Sequence, residues 1–279
     1  MNFSFEGRTL TIATMHRKET VLAPILEKNL AVKCSVSVGI DTDQFGTFSG
    51  EIPRHKSIID TARAKCDFVF LKSGCDLVLA SEGTFGPHPA SPLIPSDHEF
   101  LLLKDFVHDL EITGAVLSYR TNYHQKTISD FEELMDFATS VKFPSHGIIL
   151  RSCAGDLIYK GINEGRLLRK CFDEMMRSSK SILAETDMRA NFNPTRTDVI
   201  KEAASDLVKN AFSMCAKCSA PGFSIQKTEA GLPCQLCGNP TRSALKNVFE
   251  CKKCGHQLEI CFPNHKKVED PMYCDYCNP

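Results

Sequence analysis

Four C-x-x-C pairs near the end of the chain constrain it more than any other feature: Cys215-Ala-Lys-Cys218, Cys234-Gln-Leu-Cys237, Cys251-Lys-Lys-Cys254 and Cys274-Asp-Tyr-Cys277. This spacing lets two thiolates from one tight turn meet the same ion. A glycine after the second cysteine, as at Gly238 and Gly255, eases that turn. Eight thiolates make two tetrahedral sites of four thiolates each, with no open position, which is the pattern of structural zinc. Fifteen residues separate the first two pairs and nineteen the last two, inside the ribbon spacing, so two sequential sites are the favoured reading. Thirteen residues between the inner pairs leave a crossed arrangement open, first pair with third and second with fourth. Cys261, His256 and His265 are spare, and Cys261 sits in the apolar run 258–262. A module of about 65 residues has little apolar core, so metal binding must supply much of its folding free energy.

The other cysteines say something different. Of 14 in the chain, five (Cys34, Cys66, Cys75, Cys153 and Cys171) stand singly on expected strands and helices, as small hydrophobes do in a reducing cell. Paired cysteines there signal metal rather than disulfides, so a cytoplasmic protein is expected. Neither a signal peptide nor an apolar run of roughly 18 residues is read, which predicts no membrane partner. A formal net charge of -1 provides no global field for nucleic acid. Within the cysteine-rich segment, the basic Lys217, Lys227, Arg242, Lys246, Lys252, Lys253, Lys266 and Lys267 are nearly balanced by the acidic Glu229, Glu250, Glu259, Glu269, Asp270 and Asp275. Nucleic acid or a protein partner on the zinc module is therefore the alternative to enzymatic function. Composition changes at Met214, which predicts an α/β domain with its C-terminal helices over 1–213 and a zinc-binding domain over 214–279.

The first part reads as alternating strands and helices. Strands are expected at Thr9–Thr14, Val32–Val38 and Asp76–Ser81, with helices at Glu19–Leu30 and Lys56–Lys72, hence β-α-β units. Arg63 and Lys65 read as a solvated face. Glu99–Phe106 and Leu110–Tyr119 read as an antiparallel pair turning at His108-Asp109. Helices are then expected over Ser129–Val141, Asn163–Glu185 and about Thr197–Phe212, with a short strand at Gly147–Arg151. The methionines of the long helix read as core. The fold class is α/β: a mixed, mainly parallel sheet with flanking helices, plus a small zinc-ribbon-like C-terminal domain.

The stretch Asp76-Leu-Val-Leu-Ala-Ser-Glu-Gly-Thr-Phe-Gly-Pro-His-Pro89 is the expected functional centre. It starts as a buried strand and is predicted to break into a loop carrying Glu82 and His88. Open α/β sheets place their chemistry at such strand ends. The long segment 39–51 carries Asp41, Asp43 and Thr47, which with Glu82 suit a hard cation, Mg²⁺ or Mn²⁺, and a substrate phosphate. Lys18, Arg189, Asn193 and Arg196 are the expected phosphate binders, and His16 or His88 the proton carrier. Capping competes for Asn193, because Asn193-Pro194-Thr195 is also good helix-start chemistry. The substrate expected is a phosphorylated small molecule, with nucleotides in view.

Several segments together resemble an uncharacterised bacterial family, a domain of unknown function: Ala13-Thr-Met-His-Arg-Lys-Glu19, Asp41-Thr-Asp-Gln-Phe-Gly-Thr47, Ala80–Pro89, Asp187–Arg196, Gly231-Leu-Pro-Cys234 and Cys274-Asp-Tyr-Cys-Asn-Pro279. That resemblance implies no activity. Residues 8–106 are also similar, more weakly, to the house-cleaning pyrophosphatases, which hydrolyse inosine and xanthosine triphosphates. The likeness rests on the element order, Ala62-Arg63-Ala64-Lys65 and Val78-Leu-Ala-Ser-Glu-Gly83. It implies pyrophosphate hydrolysis with a divalent cation. The sequence departs from that family's T-x-N-x-x-K loop, with His16 in the asparagine position and Lys18 one residue early. The family's acid-serine-glycine order is also exchanged, to Ser81-Glu82-Gly83.

Overall fold

The computed structural model describes residues 3–14, 17–36, 57–88, 91–153, 155 and 157–279. The chain forms two compact units. The α/β unit comprises Phe5–Lys104 and Thr113–Val208; the cysteine unit comprises Met1–Ser4, Asp105–Ile112 and Lys209–Pro279, and so includes residues that precede Met214.

The α/β unit opens with β1 (Thr9–Ala13), α1 (Glu19–Leu30) and β2 (Lys33–Val36), with β1 and β2 parallel. α1 buries Leu22, Leu26 and Leu30, one side of a 3.6-residue repeat, and tolerates Pro24 near its start. α2 (Ile58–Ser73) follows. Ser57 caps it by accepting from the Asp60 amide, and Gly74 ends it at φ 69°, in the left-handed region that favours glycine. β3 (Leu77–His88) lies parallel to β1, and β4 (Ser91–Asp105) and β5 (Leu110–Ser118) complete a sheet in the order β2-β1-β3-β4-β5. Only two residues separate β3 from β4 in sequence, too few for a crossover, so these neighbours run antiparallel.

A second sheet holds β6 (Gln125–Ile128), β7 (Ile148–Ser152), β8 (Ile158–Ile162) and β9 (Ile182–Thr186), ordered β6-β9-β7-β8 and antiparallel throughout. α3 (Phe131–Ser140) and α4 (Gly165–Met176) pack on it around Leu134, Phe137, Leu168, Phe172 and Met175. Met175 is core, as expected. α5 (Pro194–Ala211) follows β9 through a single 3-10 turn at Ala190–Phe192.

The mixed α/β class holds, with three corrections of detail. Among the described strands, parallel pairing is confined to β2-β1-β3, so their sheets are mixed or antiparallel rather than mainly parallel. The central strand does not break at Ser81: it continues to His88, because the long β4 gives its backbone groups partners beyond the point where the apolar run ends. The expected helix 163–185 ends at Met176. Ile182–Thr186 alternates buried and half-buried residues between β6 and β7, and that pairing overrides helical propensity. Lys65 is also buried rather than part of a solvated face, whereas Arg63 is exposed.

The cysteine unit contains an antiparallel meander, β10 (Ser224–Ala230), β11 (Ala244–Glu250) and β12 (Gln257–Cys261). Its apolar cluster is small: Leu110, Ala220 and Phe223 with Cys215 and Cys251. Cys261, expected in core, is exposed on β12, an edge strand. No helix among the described residues is long and apolar enough to cross a membrane.

Candidate functional site

Two constellations carry chemistry, one in each unit. In the cysteine unit, the sulfurs gather as Cys215, Cys218, Cys251 and Cys254, and as Cys234, Cys237, Cys274 and Cys277. The favoured sequential pairing is therefore corrected to the crossed one, and the strands supply the reason. β10 leads away from the first knuckle to the second, a run of seven residues or roughly 23 Å, so those two knuckles cannot share an ion. β11 returns with Glu250 opposite Ser224, which brings Cys251 back beside the first knuckle. β12 reverses again, and the tail pairs Glu269 with Cys234, bringing Cys274 and Cys277 to the second knuckle.

The sulfur geometry suits a tetrahedral metal. Sγ–Sγ separations include 3.7 Å (Cys215–Cys254), 3.6 Å (Cys218–Cys251), 3.9 Å (Cys234–Cys277) and 3.6 Å (Cys237–Cys274). Four sulfurs about 2.3 Å from one centre lie about 3.8 Å apart, whereas a disulfide needs about 2.05 Å. The knuckles close as read from sequence. Gly238 and Gly255 stand at φ 72° and 69°, donating to the carbonyls of Cys234 and Cys251, and Ser219 takes φ 57° in the first knuckle. Within the second group the thiols shift one another in opposite directions: the Asn239 backbone amide first draws Cys237 down to about 7, and the hydrogen bond to Cys237 first pushes Cys277 up to about 12. Both groups can hold a metal ion such as zinc.

In the α/β unit, six ionisable side chains meet out of water: Lys18, Lys65, Glu82, Asp97, Glu99 and Arg196. They come from the start of α1, from α2, β3 and β4, and from the first turn of α5. Lys65 Nζ lies 2.5 Å from Glu82 Oε1, and Arg196 Nε donates to Glu99 Oε1 at 2.5 Å. Lys18 Nζ donates to Ser81 Oγ at 3.0 Å and lies 3.9 Å from Glu99 Oε2. Arg196 is held in place by its bond to the Met188 carbonyl and by the Phe85 ring, 5.0 Å from its guanidinium carbon. Gly83 makes this packing possible, since a Cβ there would stand 2.5 Å from Glu99 Oε1 and 2.6 Å from Arg196 Nη2.

Burial and neighbouring charge shift two of these groups. Burial first, then the charge of Arg196, pulls Lys18 down to about 7. Burial first, then the Glu99 carboxylate, pushes Asp97 up to about 8. Asp97 is 0% exposed, its carboxyl faces that of Glu99, and no other described residue donates a hydrogen bond to either of its oxygens.

Of the residues singled out in sequence, Lys18, Glu82 and Arg196 belong to this cluster. His88 does not: six residues of extended strand set it roughly 20 Å from Glu82, and its ring packs on Tyr119. Arg189 is gripped by Asp187, Nη2 to Oδ2 at 2.6 Å, and lies over Phe192. Asn193 caps α5, its Oδ1 accepting from the Arg196 amide at 3.0 Å. His16, Asp41, Asp43 and Thr47 lie outside the described residues. Sequence reading missed Lys65, Asp97 and Glu99. The available signal was the pair of acids at alternate positions leading into the apolar run Phe100–Leu103, which share one face of a strand.

Fold and sites thus define a mixed α/β protein with a buried charge cluster and two four-cysteine metal-binding groups. The chain belongs to the family described as domain of unknown function (DUF6671), whose model matches residues 65–279. No curated protein matches it.

Proposed function

We propose that the α/β unit is a metal-dependent hydrolase of a phosphorylated small molecule, nucleotides foremost, and that the cysteine unit is held by two structural zinc ions. The observation that carries the first part is the meeting of Lys18, Lys65 and Arg196 with Glu82, Asp97 and Glu99 away from water. A fold gains little from such a cluster, because well-packed apolar residues of similar volume usually serve stability as well or better. Phosphoryl transfer needs this environment, being mostly positioning and charge neutralisation.

Arg196 and Lys18 would meet phosphate oxygens, with Lys18 at the amino end of α1 where the helix dipole also favours an anion. Lys65 holds the Glu82 carboxylate in one position. A bound divalent cation would polarise the phosphoryl group. Beside the cluster, Phe85 stacks on Tyr123, and Tyr123 lines an open cleft of about 250 Å³ with Pro87, Pro95 and His124. An aromatic base suits that lining. The weaker resemblance of residues 8–106 to the house-cleaning pyrophosphatases points the same way through its element order and Ala62-Arg63-Ala64-Lys65, while the chain departs from that family at Lys18 and in the order Ser81-Glu82-Gly83. For the second part, the support is eight sulfurs at tetrahedral spacing with no position left open.

The test is phosphate release by the purified chain from canonical and non-canonical nucleoside triphosphates and sugar phosphates, with Mg²⁺ or Mn²⁺. Release that Glu82→Gln abolishes, with the fold intact, is the expected result. Turnover unchanged by Glu82→Gln sinks the reading. Silence across the panel would favour a binding role, with nucleic acid or a protein as partner.

A further inference from the structure

We propose that Asp97, together with Glu99, forms the divalent-cation site of the α/β unit, taking a hard ion of the Mg²⁺ or Mn²⁺ class. The inference deepens the hydrolase reading and rests on it for the anion that shares the site. Asp97 and Glu99 are alternate residues of β4, so their side chains leave the same face of the strand. Both are fully buried. The cluster pairs its other acids with bases, Glu82 with Lys65 and Glu99 with Arg196. Asp97 has no base as its partner: its carboxyl faces that of Glu99, no other described residue donates a hydrogen bond to either oxygen, and Glu99 Oε2 likewise accepts none from a described base. Native proteins rarely leave buried carboxylate oxygens in that condition, so a missing ligand is the direct explanation.

The chemistry of the ligand follows from the donors. Oxygen-only donors select a hard cation. Among the described residues, only the cysteine groups bring three or more metal-binding side chains within 4.8 Å. A carboxylate site here therefore has two protein ligands among the described residues. That number suits Mg²⁺, which is bound by one or two carboxylates and completes its octahedron with water and phosphate oxygens. Lys18 and Arg196 repel a lone cation. A phosphate drawn to those two residues removes the repulsion, so cation and anion should bind better together than apart.

The experiment is electron paramagnetic resonance of Mn²⁺ added to the zinc-loaded full chain, with and without inorganic phosphate. The wild type should bind Mn²⁺, more tightly when phosphate is present. Asp97→Asn should weaken that binding by at least the roughly 10–100-fold that loss of even an outer-shell partner costs. Circular dichroism checks the fold, and Asp97→Ser serves if the asparagine variant fails to fold. Binding equal in wild type and variants, or none in the wild type under either condition, overturns the proposal. If Mn²⁺ binding depends on Asp97 but no substrate releases phosphate, the cation site stands and the hydrolase falls. If Mn²⁺-dependent release occurs while Asp97→Asn leaves Mn²⁺ affinity unchanged, the hydrolase stands and the cation site falls.

Discussion

The two chemical centres of this protein are built in opposite ways. In the cysteine unit, each pair of ligands comes from one turn, and the turns recur along about sixty residues at the end of the chain. In the α/β unit, six charged residues spread from Lys18 to Arg196 converge through five separate elements. On the proposed reading, the first centre stabilises a unit whose apolar cluster is small, and the second serves function inside a unit with a larger core of its own. Local chemistry is written in spacing, whereas convergent chemistry appears only once the chain has folded.

The comparison can be broken most forcefully at the metal sites. The crossed pairing ties both ends of the β10–β12 meander, so loss of either metal should loosen all three strands. Cys218→Ser should remove one of two bound zinc ions and most of the amide exchange protection of β10–β12. Structural zinc contributes on the order of 10 kcal/mol or more in small domains. Protection lost at only one end of the strands would show that the two sites act independently.

A smaller effect is expected at Gly83. Gly83→Ala drives a methyl group into the Glu99–Arg196 pair. Overpacking of this kind costs about 1–3 kcal/mol. Denaturant unfolding would register that loss, and phosphate release should fall further than stability does. An alanine variant with wild-type stability and activity would mean that the close packing of the ion pair is dispensable.

Asn193 sharpens the contrast between binding and capping. Its Oδ1 accepts from the Arg196 amide, and its Nδ2 donates to Asn122 Oδ1 at 2.8 Å. Asn193→Ala should cost about 0.5–2 kcal/mol of stability, the range for a lost N-cap, while Asn193→Ser, which keeps a capping oxygen without placing a charge against the Asp187 carbonyl, should recover part of it. Failure of the serine to rescue any stability would argue that the cap is not what the residue supplies.

The mildest test uses pH. His146 Nε2 accepts from the Thr195 amide at 3.2 Å, a bond that requires the neutral ring. Burial first, then the charge of Lys142, holds its pKa below the usual histidine value. The unfolded chain therefore binds the extra proton more readily. The contribution of His146 is fully present above the ordinary pKa of about 6.5 and is lost as pH falls through the lower folded value. Melting temperature should drop across that window in the wild type, and less so in His146→Gln. Parallel profiles for the two proteins would remove His146 from the account.

What the sequence disclosed follows the same division. The knuckles, Gly238, Gly255 and α1 were legible because each depends on neighbours within one or two turns. The pairing of knuckles was not, because it depends on which strand reverses beside which. Lys65 looked like one more helix-surface lysine until β3 placed Glu82 against it. Ile182–Thr186 looked helical until β6 and β7 took it as a partner. Asp97 and Glu99 carried only the weak signal of alternate acids before the apolar run Phe100–Leu103, since such acids usually mark where a strand leaves solvent.

The central claim is that the buried charges of the α/β unit serve function rather than stability. It is tested most directly by replacing one complete pair, Lys65→Met with Glu82→Leu, and measuring phosphate release alongside the melting temperature of the same protein. The expected result is a melting temperature equal to or above wild type, since apolar replacement of a buried pair is often neutral or stabilising by about 1–4 kcal/mol, together with loss of release. A protein that unfolds more easily yet keeps its turnover would contradict it.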